Sequence, residues 1–207
     1  MAKLLYIESS PRKKRSSSIA VANTFLEAYR KEHPQDQIQA LDLWHTELPA
    51  FDGDVIDAKY AILHGQSHTP EQVTAWKAVE ELIAEFKNAD KYVFSLPMWN
   101  FGIPYKLKHY IDLLVQPSYT FTVTPQGEYQ GLVTGKKAAL VYARGGAYGP
   151  EQLLDLQIRY METILGFIGF KDFTSVIIEP TLSGTPEEKK KIVDAANAKA
   201  ISYAAQF

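Results

Sequence analysis

The chain has 207 residues, 46% of them hydrophobic, with a formal net charge of -2 and no cysteine. That length suits one domain, residues 1–207, able to bury roughly 70% of the surface its unfolded chain exposes. The near-neutral charge gives no reason to expect nucleic acid or an anionic membrane as partner, and the lack of cysteine removes disulfides, thiol nucleophiles and thiolate metal sites.

Met1-Ala2-Lys3 leads straight into Leu4-Leu5-Tyr6-Ile7, which reads as a first buried strand. No apolar targeting segment precedes it, no apolar run reaches the roughly 18 residues of a membrane span, and a cytoplasmic protein is expected. From Ser18 onward Ile19, Ala22, Leu26 and Tyr29 recur at helical spacing. Gln37 to Leu43 reads as a second strand, followed by a long connection containing Pro49, Gly53 and Gly65. Trp76, Val79, Ile83 and Phe86 then mark one face of a helix, and Tyr92-Val93-Phe94 a third strand. Ile103 to Val115 is predicted helical, with Pro104 in its first turn. Tyr119, Phe121 and Val123 alternate before Pro125-Gln126-Gly127, so Tyr119 to Val133 predicts a hairpin or extended excursion. Ala138 to Tyr142 is a fourth strand, Gln152 to Leu165 a helix and Phe173 to Ile178 a fifth strand. The last helix begins at Thr185-Pro186-Glu187-Glu188, a capping box with proline at the first helical position.

Strands alternating with helices imply a doubly wound α/β fold, a parallel sheet with helices on both faces. Five such units match the flavodoxin-like strand order 2-1-3-4-5, in which ligands sit at the carboxyl ends of strands one and three. The segments that follow those strands therefore carry the search for function.

Ser9 to Ser18 leads a strand into a helix and contains no glycine, so it offers little room for a pyrophosphate. Ser10, Ser16, Ser17 and Ser18 instead give hydroxyl and N–H donors suited to a terminal monophosphate. The plainer alternative is that one serine simply caps the helix. After the third strand, Met98-Trp99-Asn100-Phe101 would present a flat apolar wall with one amide, suited to a heteroaromatic ring. Trp99 and Phe101 could also merely plug the top of the core. Ala143-Arg144-Gly145-Gly146 ends the fourth strand, and its paired glycines allow close approach of backbone N–H groups to a ring carbonyl, or form an ordinary turn. A monophosphate and a flat heteroaromatic ring in a flavodoxin-like crevice mean FMN.

These three segments, with LPAFDG (48–53), LKHYID (107–112), GLVTGKKA (131–138) and LGFIGF (165–170), resemble the FMN-dependent NADH-azoreductases, also known as NAD(P)H:quinone oxidoreductases. The likeness spans nearly the whole chain in the same order. It implies phosphate contacts from Ser10, Ser16 and Ser18, with Ser17 giving mainly backbone, and ring contacts from residues 98–101 and 143–146. The family often has tyrosine at Trp99 and serine at Ala143; the second difference leaves only a backbone contact there. The resemblance also implies a homodimer, in which Phe121 could wall the partner's pocket. It further implies two-electron transfer from NADH or NADPH to flat quinones and azo dyes in a ping-pong sequence, with hydride received at flavin N5; Asn100 and the Gly145-Gly146 amides are the groups expected to tune the ring.

A non-enzymatic, flavodoxin-like electron carrier is the alternative, but carriers are usually smaller and strongly acidic, and the Phe51–Pro70 and Tyr119–Val133 insertions suit a substrate pocket. His64 and His68 have metal-compatible spacing without the carboxylate of H-E-x-x-H, so no metal is expected. Asp52-Gly53-Asp54 lacks the other ligands of a calcium loop, and no hydrolase elbow is present. Arg12 to Arg15 is short for a nucleic-acid patch and reads as a solvated loop near an anionic cofactor.

Overall fold

A computed structural model describes residues 1–67, 69–149 and 153–207. Five parallel strands form its main sheet: β1 (Lys3–Glu8), β2 (Gln37–Asp42), β3 (Lys91–Pro97), β6 (Lys137–Ala143) and β7 (Asp172–Ile178), in the order β2-β1-β3-β6-β7. Two short antiparallel strands, β4 (Phe121–Val123) and β5 (Tyr129–Gly131), form the expected hairpin and account for the numbering gap. Counted within the main sheet, the order is the expected 2-1-3-4-5.

Successive residues of each strand point to opposite faces, and both faces are apolar, which is why the strands read as continuous runs. Leu4, Tyr6, Val93, Ala139 and Val141 pack against α1 (Ser17–Glu32) and α6 (Pro186–Ala204). Leu5, Ile7, Tyr92, Phe94 and Leu140 pack against α3 (Pro70–Lys87), α4 (Tyr105–Leu114) and α5 (Leu156–Ile168). The small residues Ala196, Ala200 and Ala204 let α6 lie close to α1, at a spacing of one helical turn. Gly131 permits another close approach: a Cβ there would sit 2.3 Å from the backbone at the end of α5.

The expected long connection contains a helix, α2 (Gly53–Leu63), started by the Asp52 carboxylate accepting from the Val55 N–H at 3.3 Å. Among the described side chains of this helix Val55 and Ala58 are the buried ones, a weak apolar stripe beside Gly53. Pro104 lies before α4 as its N-cap, with ψ of 142°, rather than in its first turn. Helix α5 begins at Leu156, where Asp155 accepts from the Ile158 N–H at 3.2 Å; Gln152, where it was expected to start, lies outside the described residues. His64 follows α2, and His68 also lies outside the described residues. Thr185 and Glu188 make the predicted capping box of α6. Among the described residues no helix is long and apolar enough to cross a membrane.

Candidate cofactor site at the carboxyl edge of the sheet

The register places Glu8 beside Ser95 and Pro97 beside Ala143, so the segments leaving β1, β3 and β6 emerge side by side. Direct bonds tie them together. Ser9 donates its hydroxyl to the Ser95 carbonyl at 2.5 Å, and the Met98 N–H donates to the Ala143 carbonyl at 2.8 Å.

The first segment holds its serines indoors. Ser10, Ser16 and Ser18 are buried, and Ser17 is half-buried. Ser16 Oγ and Ser18 Oγ lie 3.1 Å apart and share one hydrogen, which leaves the other hydroxyl hydrogen of the pair without an acceptor among the described residues. Ser10 Oγ accepts a long 3.4 Å bond from the Arg12 N–H, so its own O–H is also free to donate. Ser16 is the N-cap of α1, but its bond from the Ile19 N–H is stretched to 3.5 Å. The N–H groups of Ser17 and Ser18 meet no acceptor among the described residues, as expected at the positive end of a helix.

A one-turn 3-10 helix at Lys13–Arg15 shapes this segment. Lys13 adopts φ of 48°, a left-handed conformation uncommon outside glycine, and its ammonium reaches back to Glu8 at 2.6 Å and to Asp42. Burial pulls the Lys13 ammonium down, but its bonds to Asp42 and Glu8 outweigh that and hold it above the ordinary lysine value. Burial likewise pushes Asp42 up, while Lys13, His45 and the Trp44 N–H together hold it below the ordinary carboxylate value.

The second segment is a tight reverse turn. Trp99 and Gly102 exchange backbone bonds of 3.1 and 2.9 Å, with Asn100 and Phe101 both left-handed at φ of 47° and 68°. Two consecutive left-handed residues make the turn match the sheet twist and push both side chains outward. Phe101 is 41% exposed and Asn100 is exposed as well. Trp99 is half-buried, 5.8 Å from Trp44 and 6.3 Å from Tyr105. Trp44 in turn donates its indole N–H to the Ser9 carbonyl at 2.9 Å. Packing as a plug therefore describes Trp99 in part, whereas Phe101 faces outward.

The third segment is anchored by Arg144. Its guanidinium is buried and donates to Asp155 at 2.9 Å, Glu179 at 3.2 Å, Gln157 at 3.3 Å and the Tyr148 carbonyl at 3.4 Å. Its backbone N–H and carbonyl are bonded to Ile178 and Thr181. Four protein partners among the described residues thus hold the Arg144 side chain, which suits it to positioning this segment. Gly145 and Gly146 keep free N–H groups among the described residues, and Leu182 lies over Gly145, where a Cβ would stand 2.7 Å from its Cδ1. Tyr148 meets Phe101 edge-on at 6.3 Å and bridges the second and third segments.

A cavity of about 790 Å³ opens beside the reverse turn, bounded by Phe51, Trp99, Asn100, Ile103, Tyr105 and His109. Phe121 lies elsewhere: it packs at a tilt against Phe167 at 4.7 Å and meets Tyr129 at 6.0 Å, and among the described residues none of its ring contacts is with the three segments.

Residues 2–204 match the flavodoxin-like fold family. An FMN-dependent NADH:quinone oxidoreductase of Desulfotalea psychrophila is 46% identical over 209 residues, covering 100% of this chain and 98% of that protein. The chain belongs to the FMN-dependent NADH:quinone oxidoreductase family. Solved structures carry the likeness into three dimensions. An azoreductase from Bacillus anthracis str. Sterne superposes with a TM-score of 0.91 at 33% identity, covering 100% of both chains. An FMN-dependent NADH-azoreductase from Bacillus anthracis str. Ames Ancestor, in complex with FMN, gives 0.90 at 29% identity, covering 100% of this chain and 99% of that one.

The donor set of this quinone oxidoreductase family member fits FMN. Buried hydroxyls with spare hydrogens and unpaired helix N–H groups suit a monophosphate, and the Glu8 and Asp42 carboxylates are already engaged by Lys13. Sequence reasoning missed Trp44, Tyr148 and the Lys13 clasp. Trp44 was the most findable, since it stands just past a strand that neighbours β1. Tyr148 lies two residues beyond a Gly-Gly pair that already marked the site.

Proposed function

We propose that the chain is an FMN-dependent oxidoreductase that passes two electrons from NADH or NADPH to quinones and azo compounds. The observation that carries this reading is the joining of a buried serine cradle, an outward aromatic turn and a free pair of glycine N–H groups along one edge of the sheet. Bound FMN would supply the two-electron redox chemistry that links a nicotinamide donor to the acceptor.

The protein's part is to bind, orient and tune. Ser10, Ser16 and Ser18, with the N–H of Ser17, hold the phosphate. Met98, Trp99 and Phe101 wall the ring, and Ala143 lends backbone rather than a side chain. Asn100 and the N–H groups of Gly145 and Gly146 donate to its polar edge and favour negative charge there. Arg144 holds the glycine segment in place. Donor and acceptor share one slot beside Phe101 in turn, and parallel initial-rate lines are the expected pattern. The residues form one FMN-binding domain over 1–207, working in the cytoplasm where reduced nicotinamide is supplied.

The working assembly is a two-fold homodimer, and Phe121 acts there as a wall of the partner's slot, since among the described residues its ring contacts are with Tyr129 and Phe167. Light scattering that returned only a 23.3 kDa species at micromolar protein would contradict the dimer. Chromatography of the flavin released on denaturation tests the cofactor: FMN is expected, and FAD would contradict the glycine-free phosphate loop.

A further inference from the structure

The basic run Arg12 to Arg15 divides in two. Lys13 turns back under the loop and is paired with Glu8 and Asp42. Arg12, Lys14 and Arg15 are exposed, and among the described residues none of their side chains makes an ion pair or hydrogen bond. All three stand on the turn that delivers the chain into Ser16, the N-cap of α1. Three cations without a partner among the described residues thus stand on the segment that leads into the donor set suited to a phosphate, on a chain whose formal net charge is -2.

Exposed side chains add little to the equilibrium affinity of an anion held by buried groups, because their charge is already solvated. They do shape the local potential. A phosphate dianion approaching a slightly acidic protein meets weak repulsion in general and attraction here, within a Debye length of about 8 Å at physiological salt. Focused fields of this kind raise association rates about 10- to 1,000-fold. We propose that Arg12, Lys14 and Arg15 form an electrostatic collar that draws the FMN phosphate into the serine cradle, setting the rate of cofactor capture while the buried hydroxyls set its release. The inference rests on the FMN reading above.

Stopped-flow mixing of flavin with the full-length flavin-free chain, followed by the change in flavin fluorescence, tests it. FMN should associate with the wild type at least about tenfold more slowly at high than at low salt, as screening removes the field. The triple variant R12Q/K14Q/R15Q should associate about tenfold more slowly at low salt, nearly independent of salt, with a dissociation rate within about twofold of wild type. Riboflavin, which carries no phosphate, should associate alike with both proteins at every salt concentration and so controls for a damaged loop. The charge-conserving variant R12K/R15K should keep the wild-type rate. Equal FMN association rates in wild type and triple variant would overturn the collar. A tenfold faster dissociation in the triple variant would also overturn it, by showing that the cations hold the bound phosphate. Failure of the wild type to bind FMN at any salt concentration would remove the cofactor reading itself.

Discussion

The backbone N–H of Met98 donates to the carbonyl of Ala143 at 2.8 Å, continuing the β3–β6 pairing one step past the last paired residues, Pro97 and Ala143. The aromatic turn and the glycine segment are therefore one backbone unit. The first residue after that joint is Arg144, whose side chain fastens the unit to α5 and to the end of β7.

Arg144→Ala should destabilise the fold by about 3–5 kcal/mol, since Asp155 and Glu179 would be left facing a buried gap. Arg144→Lys should recover only part of this, because an ammonium cannot reach four partners as a planar fork does. Urea unfolding of the two variants measures both. A loss below about 1 kcal/mol for the alanine variant would contradict the anchoring role.

Ser18 separates phosphate binding from helix capping. It lies inside the first turn of α1 and caps nothing, yet its hydroxyl is buried against Ser16. Ser18→Ala should weaken FMN binding by about 1–3 kcal/mol and leave riboflavin binding nearly unchanged. Titration calorimetry with both ligands decides, and equal losses would mean that Ser18 acts through the helix alone.

Phe101 sits at φ of 68°, where a side chain costs energy that glycine avoids. Phe101→Gly should accordingly be about 1 kcal/mol more stable than Phe101→Ala, although both lose the contact with Tyr148. Both should bind flavin more weakly than the parent. An alanine variant as stable as the glycine one would show that the turn relaxes when the ring is removed.

The clasp of Lys13 on Asp42 makes part of the stability depend on acid. The folded Asp42 carboxyl lies below its ordinary value of 3.8, so its contribution is complete above that pH and disappears as pH falls through the lower, folded value. Lys13 has the opposite sense: raised above 10.5, it contributes fully below that pH and loses its share as pH rises further. Asp42→Asn should flatten the acid limb of the stability curve below about pH 4. An acid limb unchanged in that variant would place the sensitivity on other carboxylates, such as Asp36, which Tyr29 also holds low.

The sheet and its order were legible because each central strand is an unbroken apolar run, and the strand order alone brings the three loops to one edge. Helix α2 was not legible, since Val55 and Ala58 are the buried ones among its described side chains and Gly53 opens it. The engagement of Arg144 was hidden for a different reason. Its carboxylate partners stand 11 and 35 residues away, and nothing local distinguishes an arginine turned inward from one offered to a ligand. The positive φ of Lys13 is equally a tertiary outcome, imposed by carboxylates at the ends of β1 and β2. Trp99 shows the middle case: its place in the turn after β3 was readable, its packing on Trp44 and Tyr105 was not.

Anaerobic mixing of the FMN-loaded protein with NADH, and separately with NADPH, followed by addition of a quinone or azo dye, tests the central claim most directly. The flavin absorbance should bleach with at least one nucleotide in a single two-electron phase, without any helper protein, and return when the acceptor is added. Flavin that stays oxidised with both nucleotides until a separate reductase is supplied would contradict the enzyme and identify a carrier instead.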